Sequence, residues 1–355
     1  MDFDQLTKIK SLDKGNYLGS IEEFLPQVQQ AWEEVKRITL PAEYAEVDNL
    51  VLNGMGGSAL GARVVKALLT EKLKIPFEII NNYSVPAFVN HRTLFIFSSY
   101  SGNTEEVLAT IDEACARGAK CLGITAGGQL REILTARKIP FYQIKPDHNP
   151  SGQPRAGVGY AVAGILGLLN QTHLVSFQES EISAAVSWLE EISRQWRLEI
   201  PVSENLAKQL ALQLNEKIVI LVGAEFLEGS LHVFRNQLNE TAKNFADYFL
   251  LSELNHHLLE GLSFPKSNSQ NLAFLFFNSS LFDSRIQKRV IVTREVVTQN
   301  QIPVLEYLCT GKNKLTQVLE VILLGSWVSF YLAVLHNVDP SLIPWVDYFK
   351  DKLKN

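Results

Sequence analysis

Short, almost wholly apolar runs alternate along the chain with longer stretches in which apolar residues recur at helical spacing. In the N-terminal half, helical spacing covers 21–37. Strands are then predicted at 49–53, 77–80, 94–97, 120–125 and 141–144. Between them, helices are predicted at 58–69, 104–117 and 129–136. Apolar strands separated by helices indicate a parallel sheet covered on both faces. The segment 145–159, with its prolines and glycines, reads as a loop ahead of a helix at 160–170. A second cycle begins near residue 175. Helices are predicted at 179–197 and 204–214, a strand at 217–222, and a helix across 229–246. A strand at 271–277, a valine-rich helix at 284–299, a strand at 303–307, a long helix at 314–336 and a short one at 345–353 complete it. The expected architecture is α/β, in two similar lobes divided as 1–172 and 173–355.

Two of the strand ends carry unusual turns. Gly54-Met55-Gly56-Gly57-Ser58-Ala59-Leu60-Gly61 follows the run Asn49-Leu50-Val51-Leu52, and Ser98-Ser99-Tyr100-Ser101-Gly102-Asn103-Thr104 follows Leu94-Phe95-Ile96-Phe97. Each is a buried strand, a small hydroxyl-rich turn and a helix. That order aims backbone N–H groups and a positive helix end at one point, where an anion can sit. Glycine lets the backbone come close, and hydroxyls add donors without bulk. In parallel sheets ligands bind beyond the carboxyl ends of the strands, so both turns can face one site.

Composition narrows the class. The chain has 355 residues, 46% hydrophobic and 20% charged, which suits a globular protein of two domains. A net charge of -5 gives no support to a nucleic-acid partner. The acidic start has no apolar core of a secretory signal, and Cys115, Cys121 and Cys309 make a poor disulfide framework. A reducing, cytoplasmic setting is expected. The uncharged run 321–335 is shorter than the roughly 20 residues a membrane span needs, so a buried core helix is expected. Neither His256-His257 nor the cysteines have metal-ligand spacing, and no metal or cofactor is expected. The glycines at 54, 56, 57 and 61 do not follow G-x-G-x-x-G spacing, and Ile79-Ile80-Asn81-Asn82 offers no acid for a dinucleotide's ribose.

Taken together, the two turns resemble the sugar isomerase (SIS) domain. Pro154-Arg155-Ala156-Gly157-Val158, Asn236-Gln237-Leu238-Asn239-Glu240, Glu253-Leu254-Asn255-His256 and Val346-Asp347-Tyr348-Phe349-Lys350 follow in the order found in the bifunctional phosphoglucose/phosphomannose isomerases. The resemblance covers nearly the whole chain. It implies a tandem pair of SIS lobes, each a flavodoxin-like three-layer sandwich. It also implies a metal-free aldose–ketose isomerase acting on glucose, fructose and mannose 6-phosphates, and a homodimer with a shared active site and no membrane or nucleic-acid partner.

The same resemblance assigns roles. Ser99, Ser101 and Thr104 match the phosphate cradle, with Gly57 and Ser58 as its second wall. As plain structure, these would be helix caps and a tight turn. Arg155 matches the group beside the sugar's C1–C2 oxygens, where its charge would stabilise an enediolate. Without the resemblance it reads as a solvated loop residue. Glu240 matches the base that moves the proton between C1 and C2, against a solvated helix-face residue or a partner for Lys243. His256 matches the ring-opening residue, contributed in the family by the other subunit. Lys350 matches the terminal lysine that assists ring opening, against a lysine that only favours a helix end. Where many members carry a threonine before that lysine, this chain has Ser341-Leu342-Ile343-Pro344. The alternative function is a non-catalytic sugar-phosphate sensor, which would keep the cradle without the acid–base set.

Overall fold

The computed structural model describes Phe3 and residues 6–353. The chain is α/β and forms two compact units. One is Glu22–Ser187; the other joins the segment through Ile21 to Trp188–Asn355.

The Glu22–Ser187 unit contains strands β1 (Asn49–Gly54), β2 (Phe77–Ile80), β3 (Thr93–Ser98), β4 (Lys120–Thr125) and β5 (Phe141–Gln143). They form one parallel sheet in the order β2-β1-β3-β4-β5. Central β1 and β3 are buried along nearly their whole length, which is why they read as continuous apolar runs. Val51, Phe95 and Phe97 pack with Val107, Ile111, Leu130 and Leu134 in one buried cluster. Elsewhere in the unit Gly61 brings the helix Gly57–Leu68 against the helix Val158–Gln171; a Cβ there would lie 2.6 Å from the carbonyl carbon of Ala161.

The expected helix over 104–117 divides at Thr110 into Glu105–Ala109 and Ile111–Ala116. The Thr110 hydroxyl donates to the Val107 carbonyl and accepts from Asn53 Nδ2 at 3.0 Å, so the break gives a buried amide nitrogen of β1 one of its acceptors.

The second unit contains β6 (Ile218–Ala224), β7 (Ala246–Leu251), β8 (Leu272–Asn278) and β9 (Val304–Leu308), parallel in the order β7-β6-β8-β9. The expected helix over 229–246 is corrected here. The helix ends at Glu240 and the chain returns as edge strand β7. Lys243 takes a left-handed φ of +55°, and the Asn244 side chain donates to the Lys217 carbonyl at 2.9 Å. These features turn the chain out of the helix and pin it beside β6.

Side-chain direction assigns the two faces of this sheet. Phe277 and Tyr307 point one way, towards Phe234 and the carboxylate of Glu320. Glu306, adjacent to Tyr307 and so on the opposite face, meets Arg294 at 2.6 Å. The helices Glu228–Glu240 and Lys314–Leu335 therefore cover one face, and the helix Ser284–Gln299 covers the other. The apolar helix Lys314–Leu335 is a core element, 94% buried over its most apolar window. Ser230 donates to the Val318 carbonyl and Gln237 to the Ser326 hydroxyl, tying the Glu228–Glu240 helix along it.

Candidate active site

Parallel pairing aligns Gly54 with Ser98, so the two small-residue turns leave the sheet side by side. Hydrogen bonds then stitch them together. Ser98 Oγ donates to the Ser58 carbonyl at 2.8 Å, and the Tyr100 amide donates to Ser58 Oγ at 2.8 Å. In the second turn, the hydroxyls of Ser99 and Thr104 bond each other at 2.7 Å, and the Gly102 amide donates to Ser99 Oγ at 3.0 Å. Gly102 holds a φ of +74°, a conformation other residues adopt only under strain, and its carbonyl accepts from the Leu130 amide. Ser99 is thus buried inside the turn, Ser101 is exposed at its tip, and Ser58 and Thr104 are half-buried.

Arg155 is not the solvated loop residue that composition alone suggests. It is 1% exposed, and its Nη1 donates to Gln153 Oε1 at 2.9 Å. The loop that carries it presses on the first turn. A Cβ at Gly57 would lie 2.9 Å from Pro154 Cβ, 3.0 Å from the Pro154 carbonyl carbon and 3.1 Å from the Arg155 nitrogen. Buried Gln27 clamps the loop's two ends, donating to the carbonyls of His148 and Ala156 at 2.9 Å each. The structure therefore brings Gly57, Ser58, Ser99, Ser101, Thr104 and Arg155 into one region of one unit. Tyr100, Asn149 and Gln153 belong to the same network. Apart from the position of Tyr100 between two cradle serines, no sequence signal marks them out.

Glu240, His256 and Lys350 belong to the other unit. Glu240 is half-buried at the end of its helix, where neighbouring Asn239 Nδ2 donates to the carbonyl of Ala246 at the start of β7. The Lys243 ammonium reaches the carbonyls of Thr241 and Asp339. His256 is exposed on the turn Glu253–His256 beyond β7. Asn255 beside it donates to Thr293 Oγ1 at 2.7 Å and accepts from Arg289 Nη1 at 3.0 Å, which ties this turn to the Ser284–Gln299 helix. Glu240 thus lies beside the start of β7 and His256 beyond its end. His257 is also exposed, with its ring 6.2 Å from that of Phe249. Lys350 is exposed on the helix Pro344–Leu353, which buries none of its residues.

Two parallel α/β units, the first with paired glycine–serine turns at its central strand ends, define a protein of the SIS type. Residues 43–131 match the SIS domain, and residues 203–353 match the bacterial phospho-glucose isomerase C-terminal SIS domain. The chain is 34% identical to a bifunctional phosphoglucose/phosphomannose isomerase of Caldicellulosiruptor bescii, over 92% of this chain and 96% of that one. It is 30% identical to the protein of the same name in Thermoplasma acidophilum, over 86% and 89%. A hypothetical protein from Thermus thermophilus has the same fold, with a TM-score of 0.74 at 17% identity over 98% of this chain and 93% of that one. The chain belongs to the bifunctional phosphoglucose/phosphomannose isomerase family.

Proposed function

We propose that the protein is a cytoplasmic aldose–ketose isomerase that interconverts glucose 6-phosphate and fructose 6-phosphate, and also mannose 6-phosphate. The observation that carries this reading is the contact of Gly57 with the Pro154–Arg155 backbone, which joins a hydroxyl-lined anion cradle to a buried cation. A hexose 6-phosphate has its phosphate at one end and its reacting carbons at the other. Ser58, Ser101 and Thr104 offer hydroxyls to the phosphate, with Gly57 allowing close approach and Ser99 bracing Thr104 from inside the turn. The Arg155 guanidinium stabilises negative charge on the C1–C2 oxygens as the enediolate forms. Glu240 moves the proton between C1 and C2, and His256, assisted by Lys350, transfers the proton that opens the ring.

The placement of Glu240 and His256 supports a homodimer with shared sites. The length of β7 lies between Glu240 at its start and His256 beyond its end, so one sugar draws them from different subunits. The helix Pro344–Leu353 adds to this reading. It leaves Trp345 81% exposed and also shows Tyr348, Phe349 and Leu353 to solvent, a large apolar surface for a terminal helix.

The test is a coupled assay of the purified protein with both aldose 6-phosphates, repeated after treatment with a chelator. Turnover of both substrates, retained without divalent ions, is expected, because the chemistry rests on side-chain proton transfer. No turnover of either sugar would overturn the assignment, and loss on chelation reversed by a divalent ion would overturn the metal-free mechanism.

A further inference from the structure

The phosphate cradle and the buried arginine are linked by one side-chain bridge that the catalytic roles above do not use. Asn149 is 3% exposed and lies in the loop that leads to Arg155. Its Nδ2 donates to the Tyr100 hydroxyl at 2.8 Å and to the Gln153 carbonyl at 3.0 Å. Its Oδ1 accepts from Ser151 Oγ at 3.0 Å, and its carbonyl accepts from the Gly152 amide at 2.9 Å. Gln153, held this way through its main chain, holds the Arg155 guanidinium through its side chain.

At the other end of the bridge, Tyr100 sits between Ser99 and Ser101. Its amide is bound to Ser58 Oγ, and its carbonyl accepts from the Ala126 amide at 3.0 Å. Gly157 closes the packing: a Cβ there would lie 3.0 Å from Tyr100 Cε2 and 3.2 Å from Asn149 Nδ2. Burial holds the Tyr100 phenol above its ordinary range, with the Asn149 donor opposing, so the hydroxyl stays neutral at working pH.

We infer that Tyr100 and Asn149 are positioning residues whose hydrogen bond sets the spacing between the phosphate cradle and Arg155. This rests on the isomerase reading above. A six-carbon chain fixed by its phosphate presents C1 and C2 at a set distance from the cradle. A cation that stabilises charge there must be held at that distance before the reaction starts, because misplacement costs transition-state stabilisation more than substrate binding. The bridge suits such a role because Asn149 is buried and Tyr100 half-buried, because donor and acceptor are neutral, and because it joins loops that follow different strands.

The experiment compares Tyr100→Phe, Asn149→Ala and the double variant with the wild type in the full-length protein. It measures kcat and KM for fructose 6-phosphate, competitive inhibition by inorganic phosphate, and the thermal midpoint. Tyr100→Phe keeps the ring packing and removes only the acceptor, so it remains informative if Asn149→Ala folds poorly. A fall in kcat of about tenfold is expected for Tyr100→Phe, the size of one hydrogen bond lost from a positioning network. The inhibition constant for inorganic phosphate should stay within about twofold, because the cradle hydroxyls are intact. The double variant should lose no more kcat than the worse single one, because both act through one bond. Unchanged kcat in Tyr100→Phe overturns the inference. So does weakened phosphate inhibition that tracks the loss of kcat, or independent additive losses in the double variant. Arg155→Ala separates this from the underlying reading. Full activity in Arg155→Ala removes the functional assignment itself, whereas an inactive Arg155→Ala beside a fully active Tyr100→Phe removes only the bridge.

Discussion

The separation of Glu240 from His256 leads to a quantitative expectation for mixed dimers. Glu240 ends a helix that packs with Lys314–Leu335 on one face of the β7-β6-β8-β9 sheet. His256 adjoins Asn255, which is bonded to the helix on the other face. Glu240 lies beside the start of β7 and His256 beyond its end, and the strand's 6 residues, at roughly 3.3 Å each, span about 20 Å between them. A base at C1–C2 and a proton donor at the ring oxygen must each come within roughly 3 Å of atoms of the same sugar. On the shared-site reading proposed above, a site takes Glu240 from one subunit and His256 from its partner.

Glu240→Gln keeps shape and removes basicity, and His256→Ala removes the ring-opening group. Each homodimer should fall by the roughly 10²–10⁴-fold typical of losing a general acid or base. Co-refolding the two variants in equal amounts makes half the dimers mixed. In a mixed dimer one site loses both groups and the other keeps both, so about a quarter of wild-type activity should return. Differential tags isolate the mixed dimer, whose expected activity is about half that of wild type. If both residues served the site of their own chain, every site in the mixed dimer would lack one group. A purified mixed dimer with only the background activity of the two homodimers would therefore refute the shared-site argument.

Other expectations follow from the cradle and its supports. Ser101→Ala with Thr104→Ala should raise KM for fructose 6-phosphate at least tenfold, since charge-assisted bonds of about 1.5–3 kcal/mol each are lost; an unchanged KM in steady-state kinetics contradicts the cradle. Gly57→Ala places a methyl about 3 Å from the Pro154–Arg155 backbone, where no flexible side-chain end can yield. Overpacking of this kind costs about 1–3 kcal/mol, so a lower thermal midpoint and a reduced kcat are expected, and a variant unchanged in both rejects the contact. Burial pushes the Tyr44 phenol up to about 12 while it donates to the Cys121 carbonyl. Its folded value lies above the unfolded one near 10, so its contribution to stability is full below pH 10 and is lost as pH rises through 12. Between those limits urea midpoints of the wild type should fall more steeply than those of Tyr44→Phe, and parallel curves would argue against this.

How far the sequence discloses this arrangement depends on where each signal is stored. Strands β1 and β3 are buried on both faces, so their apolar runs announce them, and the glycines and hydroxyls that follow are local necessities of the turns. The helix Ser284–Gln299 forms despite its valines because Val290, Thr293 and Val297 are buried against the sheet, and packing outweighs a small intrinsic penalty. β7 is hidden for the opposite reason. It is an edge strand, half-exposed along most of its length, and Leu238, Ala242 and Ala246 continue the helical spacing of the preceding segment. What ends that helix is a left-handed Lys243 and an Asn244 bond to a strand far back in the chain, neither of which has a periodic signature.

The site shows the same division. Its anion-binding turns are contiguous in sequence and can be read there. The loop that carries buried Arg155 is held by Gln27 from a helix and by Gly57 from a turn, and Gln153 of its own loop binds the guanidinium. An arginine in a polar loop carries no mark of such neighbours, so its environment is a property of the folded chain alone. The same holds for Asn149, an ordinary turn residue by sequence whose amide spans two loops only once β3 and the 145–159 segment have come together. Local chemistry is thus legible where one segment supplies it, and the geometry that makes it work is written in contacts between segments.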